Sequence, residues 1–191
     1  MNNKKLYKIA INDADYVITP NGVMCKYFST WKSMITRCYS SKLHVRYPTY
    51  EKCTVCKDWL SFMNFRSWMM KQDWKEKELD KDILNIGNKI YSPETCIFVS
   101  KQINYLLGNN AAVRGAYPQG CYFNKEKRLF QTNISINGKR KYLGRFTTWQ
   151  EAEKVYLKAK YKNIMRIALE QTDVRITEGL KRHASILFSP F

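Results

Sequence analysis

The sequence predicts an α+β protein in two parts, and three stretches carry that prediction. "LDKDILNIGNKIYSPETCIFVSKQINYLLG" (79–108) reads as strand, Gly/Asn/Pro-rich loop, strand and short helix. "LFQTNISI" alternates apolar and polar residues; Asn137-Gly138 and a second strand-like run follow, then a helical pattern. "GNNAAVRGAYPQG" (108–120) lies between the two patterns and has the composition of a linker. The expected order is therefore a strand–strand–helix unit with further helices over residues 1–110, and a three-stranded antiparallel sheet packed on one long helix over 114–168. Residues 169–191 form a tail to which the sequence assigns no role.

Each element has its own signal. "LYKIAI" (6–11) reads as a strand. A helix is expected over 28–40, where Trp31, Met34, Ile35 and Cys38 recur at helical spacing, and a second over 55–72, with Trp59, Phe62, Met63 and Trp68 near one face. These aromatic residues are expected to be core. In the second part the strands are "CYF", "LFQTNISI" and "KYLGRF". Asn137-Gly138 marks a hairpin because both residues accept positive φ. Thr148 and Glu151 have capping-box spacing at the start of the long helix, whose packing face includes Ala152, Val155, Tyr156, Ala159 and Ile164.

Composition bounds the function classes. The 191 residues are 45% hydrophobic and 14% aromatic, enough for a packed core. The start lacks an apolar segment of the signal-peptide kind and no run is long enough to span a bilayer, so a cytoplasmic protein, with no membrane partner, is expected. Net charge is +17, and residues 114–166 carry 13 Lys+Arg against 3 Asp+Glu. That excess favours a polyanion, double-stranded DNA first. Six cysteines in such a compartment are reduced thiols or metal ligands. Cys53-x-x-Cys56 with Cys38 and Cys96 has the ligand type for Zn²⁺ but no second close pair; the competing reading is buried apolar thiols.

The alternation places Phe130, Thr132, Ile134 and Ile136 toward the helix. The opposite face then carries Tyr122, Asn124, Gln131, Asn133, Ser135, Arg140 and Tyr142, with Arg128, Lys139, Lys141 and Arg145 around it. Amides and arginines can pair bidentately with base edges, and lysines suit phosphates. The residues "GCYFNKEKRLFQTNISINGKRKYLGRFTTWQEAEKVYLKA" resemble the AP-two/ethylene-response-factor type DNA-binding domain over about 114–168, in the Gly-aromatic opening, the alternating middle strand and the "YLGRF" junction into the helix. The resemblance implies a three-stranded sheet lying in the major groove.

The first part, over 28–107, resembles the HNH homing-type endonucleases that phages carry, through "TWKSMITRCYS", "PTYEKCTVCKDWLSFMNFRSWM" and "LDKDILNIGNKIYSPETCIFV". The resemblance implies a ββα-metal unit in the host cytoplasm. Asp80 matches its metal-binding Asp and Asn104 its helix ligand, and together they would hold Mg²⁺ or Mn²⁺. Lys81 stands where the general-base His belongs, and Thr95 where an Asn steadies the loop. A lysine is a poor base at neutral pH, but it can stabilise developing phosphate charge. Of the two histidines, His44 in "SKLHVRYP" lies upstream and is expected either to reach the site or to be structural. Two readings follow: a metal-dependent DNA-nicking enzyme with Asp80 and Lys81 as its catalytic pair, or a catalytically dead DNA-binding protein acting as a regulator or inhibitor. A third, different in class, is a protein partner bound by the aromatic N-terminal half.

Overall fold

The structure is a computed structural model that describes residues 5–108 and 116–188; residues 109–115 of the expected linker lie outside the described residues. The fold is α+β, and the chain divides into two compact units, Met1–Ser100 and Lys101–Phe191.

The first unit opens on a hairpin, β1 (Lys5–Leu6) and β2 (Ala10–Ile11), where the sequence predicts one strand. Tyr7 and Lys8 both take positive φ, 54° and 62°, and turn the chain back on itself. Helix α1 (Lys26–Tyr39) follows the predicted periodicity and buries Phe28, Trp31, Met34, Ile35 and Cys38. After α2 (Ser41–Arg46), the helix expected over 55–72 is shorter than its pattern. Thr54–Val55 form β3 instead, pairing in parallel with β5 (Ile90–Tyr91). Helix α3 (Phe62–Met69) starts only after Ser61, whose side chain accepts the Asn64 N–H.

The core of this unit is aromatic. Trp31, Trp59, Phe62 and Phe65 are buried, and the Trp31 indole N–H donates to the Trp59 carbonyl at 2.7 Å. Phe28 meets Phe62 edge-on at 5.1 Å between ring centroids, and Trp59 meets Trp68 at 4.4 Å. A distant carboxylate fixes the entry to α3. Asp13 accepts the Ser61 hydroxyl at 2.6 Å and the Met63 N–H at 2.9 Å, satisfying one of the helix's orphan donors. Asp13→Ala is therefore expected to destabilise this unit by about 1–2 kcal/mol. The check is a lower urea midpoint with an unchanged slope.

Strands β4 (Lys77–Asp80) and β6 (Ile97–Ser100) pair antiparallel, with Asp80 opposite Ile97. Helix α4 (Lys101–Leu107) follows β6 in the chain without a break.

The second unit is built on the sheet β7 (Cys121–Asn124), β8 (Leu129–Ile136) and β9 (Lys139–Phe146), in that spatial order and all antiparallel. Asn137 and Gly138 make the β8–β9 turn with φ of 52° and 74°. Helix α5 (Trp149–Leu169) starts on the predicted capping box. Thr148 Oγ1 accepts the Glu151 N–H, and Glu151 Oε2 accepts the Thr148 N–H, both at 3.3 Å. The expected tail contains α6 (Val174–Ser185), which packs along α5. Asp173 caps it, and Ile176, Gly179, Leu180 and Ala184 are buried at helical spacing. Among the described residues, no helix is long and apolar enough to cross a membrane.

Candidate functional site

Two sets of residues carry chemistry, one in each unit. In the first, Asp80 ends β4 and turns its carboxylate back on its own loop. Asp80 Oδ1 accepts the Asp82 N–H at 2.8 Å and the Ile83 N–H at 2.7 Å. Burial raises the carboxyl above the ordinary Asp value, while the two N–H bonds and the Lys81 charge pull it back. A half-buried acid held at such a cost is the kind of group found at functional sites.

Lys81 is 5% exposed. Its ammonium donates to Asp82 Oδ1 at 2.6 Å and to the Asn88 carbonyl at 2.7 Å, and it lies 6.0 Å from the centre of the Tyr91 ring. Asn88 closes the same loop from the other side, donating to the Lys81 carbonyl at 2.9 Å and the Ile90 carbonyl at 2.7 Å. The Lys81 side chain thus clasps the loop from Asp82 to Asn88. Thr95, at the position of the steadying Asn, donates to the Ile90 carbonyl at 2.6 Å and accepts the Ser92 N–H at 3.1 Å. Sequence reasoning missed Asn88; the Asn-Lys after Gly87 was read only as loop.

His44 sits in α2, with Nε2 2.8 Å from the Arg37 carbonyl, tying α2 to the end of α1. Cys38, Cys53 and Cys96 are buried and Cys56 half-buried. Burial raises all four thiols, Cys38 and Cys96 to about 12. Among the described residues, no three His, Cys, Asp or Glu side chains converge as a metal group. The residues that the sequence resemblance names for a hard cation are Asp80 and Asn104. Asp80 lies in the first unit and Asn104, on α4, in the second.

In the second unit, register decides which side chains share a face, because residues directly opposite each other point the same way. Tyr122, Gln131 and Arg145 are opposite one another across the three strands. Asn133 is opposite Tyr142, and Ser135 is opposite Arg140. A bulge between Thr132 and Asn133 puts one extra residue, Leu143, into β9. Arg145 therefore joins Arg140 and Tyr142 on one face although strict alternation would turn it away. Arg140, Tyr142 and Arg145 are exposed, and the Arg140 guanidinium lies 5.7 Å from the centre of the Tyr122 ring. No Asp or Glu occurs in the three strands.

The other expected contact residues divide. Gln131 is 7% exposed and accepts the Tyr122 hydroxyl at 2.6 Å, so it fixes Tyr122 and offers little of its own surface. Asn124 Oδ1 accepts the Lys127 N–H at 2.9 Å and closes the β7–β8 turn, in which Arg128 takes a φ of 51°. Lys139 and Lys141 stand opposite Ile136 and Ile134, so they leave the edge strand on the helix side.

No protein-family model, curated protein or solved structure matches this chain.

Proposed function

We propose that the chain is a double-stranded DNA-binding protein that docks the open face of β7-β8-β9 against the duplex. What carries the reading is one carboxylate-free sheet face that gathers Tyr122, Arg140, Tyr142 and Arg145 in a segment holding over half of the net charge. A sheet fits the major groove, where an arginine can take guanine O6 and N7 together, and each phosphate neutralised adds to the salt dependence. The exposed arginines supply the contacts; Tyr122 braces Arg140, and Gln131 braces Tyr122.

Arg140→Ala and Arg145→Ala are each expected to lower affinity by about tenfold or more, the cost of a lost bidentate pair. Lys141→Ala, on the other side of the edge strand, is expected to cost about threefold or less. Fluorescence anisotropy on a random-sequence duplex across a salt series measures all three. Equal losses for the three variants would remove the face assignment, and no affinity for duplex DNA would remove the function.

A second reading, metal-dependent nicking of that DNA, has one observation in its favour: the half-buried carboxylate of Asp80. Asp80 would offer a carboxylate to Mg²⁺ or Mn²⁺, which would activate water and shield the leaving oxygen. Lys81 has its ammonium committed to Asp82 and Asn88, so it holds the loop. The alternative is DNA binding without cleavage, by a regulator or an inhibitor of another nuclease, and the inward commitment of Lys81 supports it.

A further inference from the structure

The charge excess of the first unit is concentrated in one stretch. Residues 16–50 carry five Lys+Arg and no Asp or Glu, while the rest of residues 1–100 carries eleven against ten. The fold turns that stretch into a surface. Helix α1 buries Phe28, Trp31, Met34, Ile35 and Cys38, which leaves Ser29, Lys32, Ser33 and Thr36 together on another side, at i, i+3, i+4 and i+7. These four line one wall of a groove of about 490 Å³, and Met24, Leu43, Tyr47 and Tyr50 line the rest with Arg37.

The lining has no carboxylate. Arg37 is used within the fold, where Tyr50, Tyr91 and Glu78 act on its guanidinium. Lys32 and Arg46 are different. Both are exposed, and among the described residues neither is in an ion pair. The Arg46 guanidinium lies 5.5 Å from the centre of the Tyr47 ring, which sets it at the rim of the groove. Two hydroxyls join the cations. Ser33 is exposed, and Thr36 Oγ1 accepts the Tyr7 hydroxyl at 3.5 Å and keeps its own proton to donate.

We infer that this groove is a second DNA-contacting surface, which takes the sugar–phosphate backbone of a duplex. The inference rests on the DNA-binding reading and extends it from the sheet of the second unit to the first unit. Exposed cations that face no carboxylate create an uncompensated positive field, and a row of phosphates neutralises it with release of counterions. Ser and Thr hydroxyls are donors to phosphate oxygens. The lining contains no Asn or Gln, the side chains that pair bidentately with adenine, so the contact follows the backbone and leaves sequence to the sheet.

Fluorescence anisotropy of the full-length chain on a random-sequence duplex, across a salt series, tests this. Lys32→Ala combined with Arg46→Ala should lower affinity at low salt by about tenfold and reduce the slope of log affinity against log salt by about 1.8, the share of two phosphate contacts. A carboxylate placed in the groove should act alike: Ser33→Glu is expected to cost about tenfold. Ser67→Glu makes the same charge change at an exposed position on α3 and should stay within about twofold. All four positions are exposed, and thermal unfolding checks that each variant folds as the wild type does. Wild-type affinity and slope in the double variant would overturn the inference and leave the sheet reading standing, since the cations of the groove would then serve something other than DNA. Equal losses for Ser33→Glu and Ser67→Glu would also overturn it, because net charge and not this surface would be responsible. No duplex affinity in the wild type would overturn both readings.

Discussion

Gly120→Ala is expected to destabilise the second unit by about 3 kcal/mol or more and to release the sheet from α5. Gly120 has a φ of +82°, a conformation that costs a side chain about 1–2 kcal/mol. Its missing Cβ also leaves the space that Tyr156 fills. A Cβ there would lie 2.9 Å from Tyr156 Cγ and nearer still to Cδ2 and Cε2. Tyr156 is buried in the middle of α5, so the ring cannot swing aside into solvent, and overpacking of this kind adds about 1–3 kcal/mol. The Gly120 carbonyl accepts both the Asn133 N–H and the Thr132 hydroxyl, so a shift of this backbone would also loosen β8. Thermal unfolding should show the loss in one transition. Tyr156→Ala should cost less stability in this background than in the wild type, because there it also removes the clash and leaves only the φ strain. Wild-type stability in Gly120→Ala would show that helix and sheet are not in contact at this point.

The second large effect is chemical, and choosing the right substitution matters. Asp80→Ala would remove the carboxylate and also the acceptor for the Asp82 and Ile83 N–H groups, so lost activity could simply report a damaged loop. Asp80→Asn keeps an oxygen for both N–H groups and removes only the charge. If the wild type nicks supercoiled DNA in Mn²⁺, Asp80→Asn is expected to abolish nicking while duplex affinity stays within about twofold. A wild type that leaves the DNA intact removes the nicking reading and leaves DNA binding untouched.

The same variant has a stability signature. Because the folded-state pKa of Asp80 is raised, the folded chain binds its proton more tightly than the unfolded chain does. The contribution of Asp80 to stability is therefore greatest below the ordinary Asp value and is lost as pH rises through the folded-state value. Measured in chelator, Asp80→Asn should be more stable than wild type at pH 7 and should lack that decline. Equal profiles for the two proteins would show that Asp80 is not desolvated.

Local chemistry was legible where a short stretch decides its own conformation. Asn137-Gly138 gave the hairpin because both residues tolerate positive φ, and Thr148 with Glu151 gave the helix start because a capping box closes within four residues. The period-2 pattern of "LFQTNISI" gave the middle strand. The helix of α1 followed from its apolar spacing, and its aromatic residues proved to be core.

What the sequence could not decide depended on partners far away in the chain. The pattern over 55–72 is helical throughout, but pairing with Ile90–Tyr91 claims Val55 as a strand residue, Asp58–Leu60 form a separate 3-10 turn, and Asp13 fixes the later start of α3. The bulge opposite Thr132 and Asn133 brings Arg145 onto the open face, a matter of register between strands that no single strand records. Lys81 looked like a substitute for a catalytic base; its tertiary setting turns it inward onto Asp82 and Asn88. The sequence alone thus determined the elements and the sign of the charge. Tertiary structure decided which side chains share a face and which are consumed in holding the fold, because burial and register are set by contacts between distant segments.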